Sequence, residues 1–167
     1  MPYGMPGIRD AVETDPPRIL EIANHAIVHT TAVWTLSPTT LQVRLARWRD
    51  RTNRGFPMLV AGGGLGFGSY GEFRPSEGSR HTLEHSVYLH PEAQVTALTA
   101  HAKRNAVHVM IGGVTSGGIE AGDTVSVAPH KWAGFEATGV PREVGWKFDR
   151  WSDLLFMAKP LSASAPT

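Results

Sequence analysis

The sequence predicts an α/β fold of the α+β kind: a central mixed β-sheet flanked by helices. It forms one domain over residues 1–160, followed by a flexible tail at 161–167. Three observations predict this. Strand-forming runs recur from residue 56 onward, broken by Gly- and Pro-rich turns. Apolar residues at helical spacing fill two segments before residue 55 and one after residue 91. Their order, a strand, two helices, three strands, a helix, a strand, a weak helix and closing strands, is that of a sheet with helices packed on it. At 167 residues and 41% hydrophobic content the chain can build one sizeable core.

The elements follow in order. Ile8 to Val12 reads as a short strand. Asp15, Pro16 and Pro17 read as a helix start, a capping acid with prolines in the first turn. Ile19, Ile22, Ala23, Ala26 and Ile27 then recur at helical spacing. Ser37 or Thr39 is expected to cap a second helix. Leu41, Leu45 and Trp48 would form its apolar stripe, and Arg44, Arg47 and Arg51 its wet side. Gly55 ends it. Phe56 to Ala61 is a strand, the glycines at 62–64 a turn, and Leu65 to Phe73 the returning strand. That strand sets Phe67, Ser69, Gly71 and Phe73 on one side and Gly68, Tyr70 and Glu72 on the other. After a polar loop, HTLEHSVYLH is rich in strand formers and is closed by Pro91. A helix over about 92–104 precedes an apolar strand, Val107 to Val114. A glycine-rich loop covers 115–124. Val125 to Ala133 reads as a weak helix damaged by Pro129. Phe135 to Thr138, Val144 to Phe148 and Leu154 to Ala158 close the sheet.

Composition removes several functions. With no cysteine, disulfides, thiolate chemistry and sulfur-ligated metals are excluded. A net charge of +1 gives no argument for nucleic acid or an acidic membrane as partner. The N-terminus lacks the pattern of a signal peptide, and no apolar run has the length of a membrane span. A cytoplasmic protein with a small-molecule partner is the expectation.

Chemistry points to HTLEH. On a helix its histidines would share a face and suit zinc. On a strand His81 and His85 lie about 13 Å apart, too far to chelate one ion, and Glu84 points the other way. The strand composition favours the second reading, with no metal. Thr82, Glu84, Ser86 and Tyr88 then share one face, and Leu83, His85, Val87 and Leu89 the other. A mid-strand acid is either a solvated edge residue or a carboxylate in a cleft, with its pKa raised, ready to take a proton. The glycines at 62–64 make a weak phosphate loop, because no lysine-serine or lysine-threonine pair follows.

The segments IRDAVETDPPRILEIANHAIVHTTAVW, GFPMLVAGGG, GFGSYGEFRPSEGSRHTLEHSVYLHP, GFEATG and REVGWKFDRWSDLLFM resemble the phosphinothricin and methionine sulfoximine acetyltransferase branch of the GCN5-related N-acetyltransferases, the GNAT family. The resemblance implies a mixed sheet in which acetyl-CoA enters between two splayed parallel strands. It also implies acetylation of a small amino-acid-like amine, and a homodimer. By the family's TxExSVYV motif, Glu84 is the general base. Arg74, and Arg80 with Ser79 where a tyrosine is usual, resemble the groups that hold an anionic substrate. Trp34, Phe73 and Lys147 fall at the acceptor side, Lys147 in a KFxRWxD block that relatives keep near the dimer contact. Ser86, Val87, Tyr88 and Leu89 fall on the strand that holds the pantetheine arm. Gln94 matches the first position of the pyrophosphate loop, although no glycine follows it. His130 takes the post beside the departing thiolate. That altered loop keeps a second expectation open, a protein of the same fold that binds a small amino acid without turning it over.

Overall fold

In a computed structural model, which describes residues 7–62, 66–88, 91–116 and 124–162, the chain folds in this order: β1 (Ile8–Asp10), α1 (Pro16–His29), α2 (Leu41–Asn53), β2 (Met58–Ala61), β3 (Gly66–Glu72), β4 (Thr82–Tyr88), α3 (Pro91–Arg104), β5 (Val109–Ser116), α4 (Thr124–Trp132), β6 (Glu136–Gly139), β7 (Gly145–Lys147) and β8 (Arg150–Pro160). The strands lie in the order β1-β2-β3-β4-β5-β8-β6, and β7 pairs with β8. Every pairing is antiparallel except β4 with β5, which run parallel. A parallel pair needs a crossover, and α3 supplies it. The sheet is thus mixed and flanked by helices, as the order of elements predicts.

Strand alternation divides the core in two. On one face Leu83, Met110, Val114 and Met157 pack with Leu98 and Ala102 of α3 and with Phe135. On the other, Met58, Val60 and Phe67 pack against Ile19, Ile22 and Ala23 of α1. Each such apolar side chain contributes about 1.5–3 kcal/mol by leaving water. Among the described residues no helix is long and apolar enough to cross a membrane.

Three local expectations need correction. Asp15 does not cap α1 with its side chain. Its carboxylate accepts two hydrogen bonds from Arg9, at 2.7 and 2.8 Å, and one from the Val12 N–H. That ion pair holds its pKa below the ordinary aspartate value. The cap of α2 is Thr40, whose hydroxyl accepts from the Val43 N–H, not Ser37 or Thr39. Thr39 instead accepts from Arg44 Nε, and its main chain is clasped by Asn24.

The third correction is the face of α2. Leu41 is 40% exposed, whereas Arg44 is 9% exposed and Arg51 is half-buried. Arg51 donates to the Tyr70 carbonyl at 2.6 Å and lies across Gly71 of β3. An arginine stem packs like an apolar side chain while its fork finds a carbonyl. The inward stripe therefore carries Arg44 and Arg51 beside Leu45 and Trp48, while Leu41 and Arg47 are exposed.

Towards the C-terminus, β7 and β8 form a hairpin whose two turn residues, Phe148 and Asp149, both have positive φ (52° and 56°). That is the twist-matched hairpin turn. β8 begins at Arg150, well before the expected Leu154, because this hairpin recruits its first residues. At the end of the described chain the Leu161 N–H donates to the His108 carbonyl. Residues 163–167 lie outside the described residues, as do the turn glycines 63 and 64 and loop residues 117–123.

Candidate active site

The site is a fork in the sheet. β4 and β5 pair from Thr82↔Val109 to His85↔Gly112 and no further. Yet β4 continues along β3 to Tyr88, and β5 continues along β8 to Ser116. Beyond the last rung the two parallel neighbours part, and main-chain groups of residues 86–88 front a wedge instead of a strand. Two glycines mark the fork. A Cβ on Gly112 would sit 2.8 Å from both His130 Nε2 and His85 Cε1. A Cβ on Gly113 would sit 3.3 Å from Leu154 Cδ1 and 3.4 Å from Glu84 Oε1. Glycine there lets side chains from neighbouring elements close over the strand.

Glu84 stands one rung before the ladder ends, opposite Ile111, on the face covered by α1 and α2. Its carboxylate leans over Gly113, past the last rung and into the opening. It is half-buried, and no described residue donates a hydrogen bond to it. Burial raises its pKa, and the positive charge of Arg74 pulls it partly back. Glu84 is half-buried on a strand paired on both sides, so it is not an edge residue.

Around Glu84 on the same face are Phe73, Leu154 and Phe156, with Phe73 and Phe156 edge to face at 6.3 Å. The Arg74 guanidinium lies 4.3 Å from the Phe73 ring centre and donates to the Phe73 carbonyl. Arg80 is exposed and donates to the Glu77 carbonyl. Trp34 packs its ring on Gly145 of β7, with its indole N–H buried and unpartnered among the described residues. Lys147 is buried, and its ammonium donates to the carbonyls of Ile27, at 2.5 Å, and Val33, at 2.6 Å. It ties the β7–β8 hairpin to the end of α1 and to the strand of chain carrying Trp34. Burial lowers its pKa. Ser86 and Tyr88 turn their side chains into a crevice beneath α2, shared with Arg44 and Arg47, while Val87 points to the opposite face. Leu89 lies outside the described residues, and so does the side chain of Gln94.

The opposite face carries a second constellation. His130 of α4 and His85 of β4 stack with ring centres 4.9 Å apart and planes at 24°. Phe135 meets both rings edge-on, at 5.3 and 5.5 Å. His130 Nδ1 lies 2.7 Å from the Ser126 carbonyl. Both nitrogens of His85 and Nε2 of His130 are buried without a partner among the described residues. Burial lowers the pKa of His85 to about 3, with the neighbouring His130 adding to the effect, and burial also lowers that of His130.

The fork thus brings together Glu84, Phe73, Arg74 and His130 from the sequence reading. It also brings in residues to which that reading gave no role at the site: His85, Gly112, Gly113, Leu154 and Phe156. For His85 the signal was present, a lone histidine in the apolar row Leu83–Val87 of a strand. The glycines could be found only by knowing which strands are neighbours. Among the described residues no group of three or more histidines and carboxylates could hold a metal ion.

Comparison with known proteins places this geometry. No protein-family model matches the chain. The L-methionine sulfoximine/L-methionine sulfone acetyltransferase of Pseudomonas aeruginosa is 41% identical over 173 residues, spanning 95% of this chain and 98% of its own. The phosphinothricin N-acetyltransferase of Alcaligenes faecalis is 32% identical, over 96% of this chain and 85% of its own. Among solved structures, YncA of Salmonella typhimurium with its cofactor acetyl-CoA is 35% identical, with a TM-score of 0.89 over 96% of both chains. A GNAT superfamily phosphinothricin acetyltransferase from Sinorhizobium meliloti, in complex with acetyl-CoA, also superposes with a TM-score of 0.89, at 28% identity over 96% of this chain and 92% of that one. With a mixed sheet that forks between its parallel strands and relatives matched over nearly their whole length, the chain belongs to the GNAT superfamily of acetyltransferases, related at moderate identity to the phosphinothricin and methionine sulfoximine branch.

Proposed function

We propose that the protein transfers an acetyl group from acetyl-CoA to the amine of a small anionic amino acid of the methionine sulfoximine or phosphinothricin kind. One observation carries this reading: the half-buried Glu84 carboxylate leans over Gly113 where β4 and β5 part. The wedge fits a slender thioester arm, because main-chain groups of 86–88 front it and Gly113 keeps its floor low. Acetyl-CoA supplies an activated acetyl group whose leaving thiol has a pKa near 8–9.

This chain's residues do the rest. Glu84 accepts a proton from the incoming ammonium, which must become a free amine before it attacks. A carboxylate with a raised pKa is better matched to that task than an ordinary one. Arg74, held over Phe73, offers its guanidinium to the acceptor's anionic group, with Arg80 as a second cation on the same loop. Main-chain N–H groups past the last rung are available to the carbonyl oxygen as it gains charge. Trp34 walls the acceptor side, and Lys147 positions that wall through its two carbonyls. Ser86 through Leu89 and Gln94 are assigned to the cofactor, and His130 to the sulfur side. The names of the relatives support the choice of acceptor.

A homodimer fits the exposed Trp146, Phe148 and Trp151 of the β7–β8 hairpin, which are 46–56% exposed. Sedimentation at the mass of one chain would count against it.

The test joins binding to turnover. Calorimetry with acetyl-CoA should show binding, and mass spectrometry over a panel of amino-acid amines should show an acetylated product. Glu84→Gln should lower kcat by about 10²–10⁴ while acetyl-CoA still binds. No binding at millimolar acetyl-CoA sinks the reading. Binding of an amino acid without product would favour the non-catalytic alternative.

A further inference from the structure

Buried charges are paired as a rule, and Arg44 is not. It is 9% exposed and projects from α2 onto the sheet. Its Nε donates to the Thr39 hydroxyl at 3.1 Å, and neither Nη nitrogen has an acceptor among the described residues. No carboxylate among the described residues pairs with it, or with Arg47 one turn along the helix. Burial holds the Arg44 pKa below the ordinary arginine value; the nearby Tyr88 phenol offsets part of that, and Arg47 adds to it.

The two arginines line a crevice with Ser69 of β3 and with Ser86 and Tyr88 of β4. Ser69 faces Ser86 across the strands, and Phe67 stacks on Tyr88 at 4.4 Å. Ser69 gives its proton to the Pro57 carbonyl, at 2.7 Å. The donors left for a ligand are two guanidiniums and the hydroxyls of Ser86 and Tyr88, and no acid lines the crevice. That set suits an anion. The enclosed part holds about one oxygen-sized group. Its exposed members, Ser86 and Arg47, form the mouth. The site therefore takes the end of a ligand, such as a carboxylate, and not a whole phosphate ester.

Alternation puts Ser86 on the same face as Glu84, about 7 Å further along β4 and past the last rung shared with β5. Arg74 lies towards the other end of that strand, because the Phe73 N–H donates to the Thr82 carbonyl. Glu84 thus stands between two cationic ends of one strand face. We propose that Arg44, with Arg47 at the mouth, binds the α-carboxylate of the acceptor amino acid, which lies along β4 with its amine at Glu84 and its side chain towards Arg74. This rests on the acetyl-transfer reading above. A single carbon separates amine and carboxylate in an α-amino acid, so an amine held at Glu84 sends its carboxylate only a short way, towards Ser86. Ser86 and Tyr88 then serve the thioester arm with their main chain and the carboxylate with their hydroxyls. The arrangement selects α-amino acids over simple amines.

The test compares the best amino acid of the amine panel with its α-carboxamide, which keeps the shape and removes the charge. In the wild type, kcat/KM should favour the acid about 10–100-fold, the worth of a charge-assisted hydrogen bond. Arg44→Met should collapse that ratio to within about three-fold of one. Differences in amine basicity between the two acceptors are common to both proteins and cancel. Arg47→Gln alters an exposed side chain, so it folds if Arg44→Met does not, and it should lower the ratio in the same direction by a smaller factor. Without any acceptor, acetate should raise the Tm of the wild type in a saturable way and leave that of Arg44→Met unchanged. A ratio unchanged in both variants overturns the assignment. If acetate stabilises the wild type through Arg44 while the ratio stays put, the anion comes from solution, and this inference fails alone. If the wild type acetylates no amine, the transfer reading fails and takes the acceptor's place in the crevice with it.

Discussion

Lowering the pH from 7 to 5 should destabilise this protein through one side chain in particular. His85 has its pKa moved from 6.5 to about 3 by burial, with a histidine stacked on it. A histidine whose folded pKa is depressed stays neutral in the native state, while the unfolded chain takes up the proton. Its contribution is complete above about 6.5 and is lost as pH falls towards about 3. Each pH unit within that window removes about 1.4 kcal/mol, so pH 5 costs about 2 kcal/mol from His85 alone. His130 shifts in the same direction and adds to the loss. Glu84 works the other way: its raised pKa means protonation on acidification relieves a strained charge. Asp15, with its lowered pKa, gives up its share only below the ordinary aspartate value, beneath the pH 7 to 5 range considered.

A total stability of about 5–15 kcal/mol makes about 2 kcal/mol visible, as roughly 4–8 °C in Tm for a domain of this size. Urea midpoints at half-unit steps from pH 7.5 to 5, for the wild type and for His85→Phe, isolate the effect. An aromatic ring stays in the stack in the variant, and titrations other than those of the coupled His85–His130 pair are common to both proteins. The wild-type curve should fall more steeply below pH 6.5, with the gap reaching about 2 kcal/mol at pH 5. Parallel curves would refute the reasoning.

Arg74→Ala removes the positive charge that holds down the pKa of Glu84, so the acid limb of kcat/KM should move to higher pH; a limb that stays put would show that Arg74 and Glu84 do not interact. Lys147→Met leaves the carbonyls of Ile27 and Val33 without a donor and should cost about 2–4 kcal/mol in urea unfolding. A loss under about 0.5 kcal/mol would mean water replaces the ammonium freely. Gly113→Ala sets a methyl 3.4 Å from Glu84 Oε1 and 3.3 Å from Leu154 Cδ1. It should lower kcat about ten-fold by tilting the carboxylate, and a stability change beyond about 3 kcal/mol would show overpacking instead.

What the sequence reveals here is what alternation and turn chemistry dictate locally. The two faces of β3 follow from FGSYGEF, and they hold: Phe67 packs under α1 while Tyr70 packs with the α3 side. Glu84 could be singled out because an acid in mid-strand conflicts with strand composition. The side chains that hydropathy misplaces are the long cations. Arg44 and Arg51 read as surface charges, yet Arg44 turns inward to the Thr39 hydroxyl just before its own helix and Arg51 to the Tyr70 carbonyl of β3, while Lys147 reaches the carbonyl of Ile27 across the fold. No periodicity encodes such a partner. The fork was equally hidden, because β4 and β5 are separated by α3, and where their pairing stops depends on glycines whose neighbours come from α4, β4 and β8.

The fork also explains why two adjacent residues of one strand bear such different chemistry. Successive side chains of β4 point to opposite faces. Glu84 therefore reaches the α1–α2 face and His85 the α3–α4 face, within one residue of where the strands part. On the proposed transfer, an amine approaching from one side would meet a carboxylate whose raised pKa suits proton uptake. The imidazoles on the other face are kept neutral by burial. Were both groups on one face, a protonated histidine beside Glu84 would form an ion pair and pull the carboxylate's pKa back down, removing its fitness as a base. The sheet itself keeps the two protonation states apart, and on the proposed transfer the thioester would enter by the wedge between the strands.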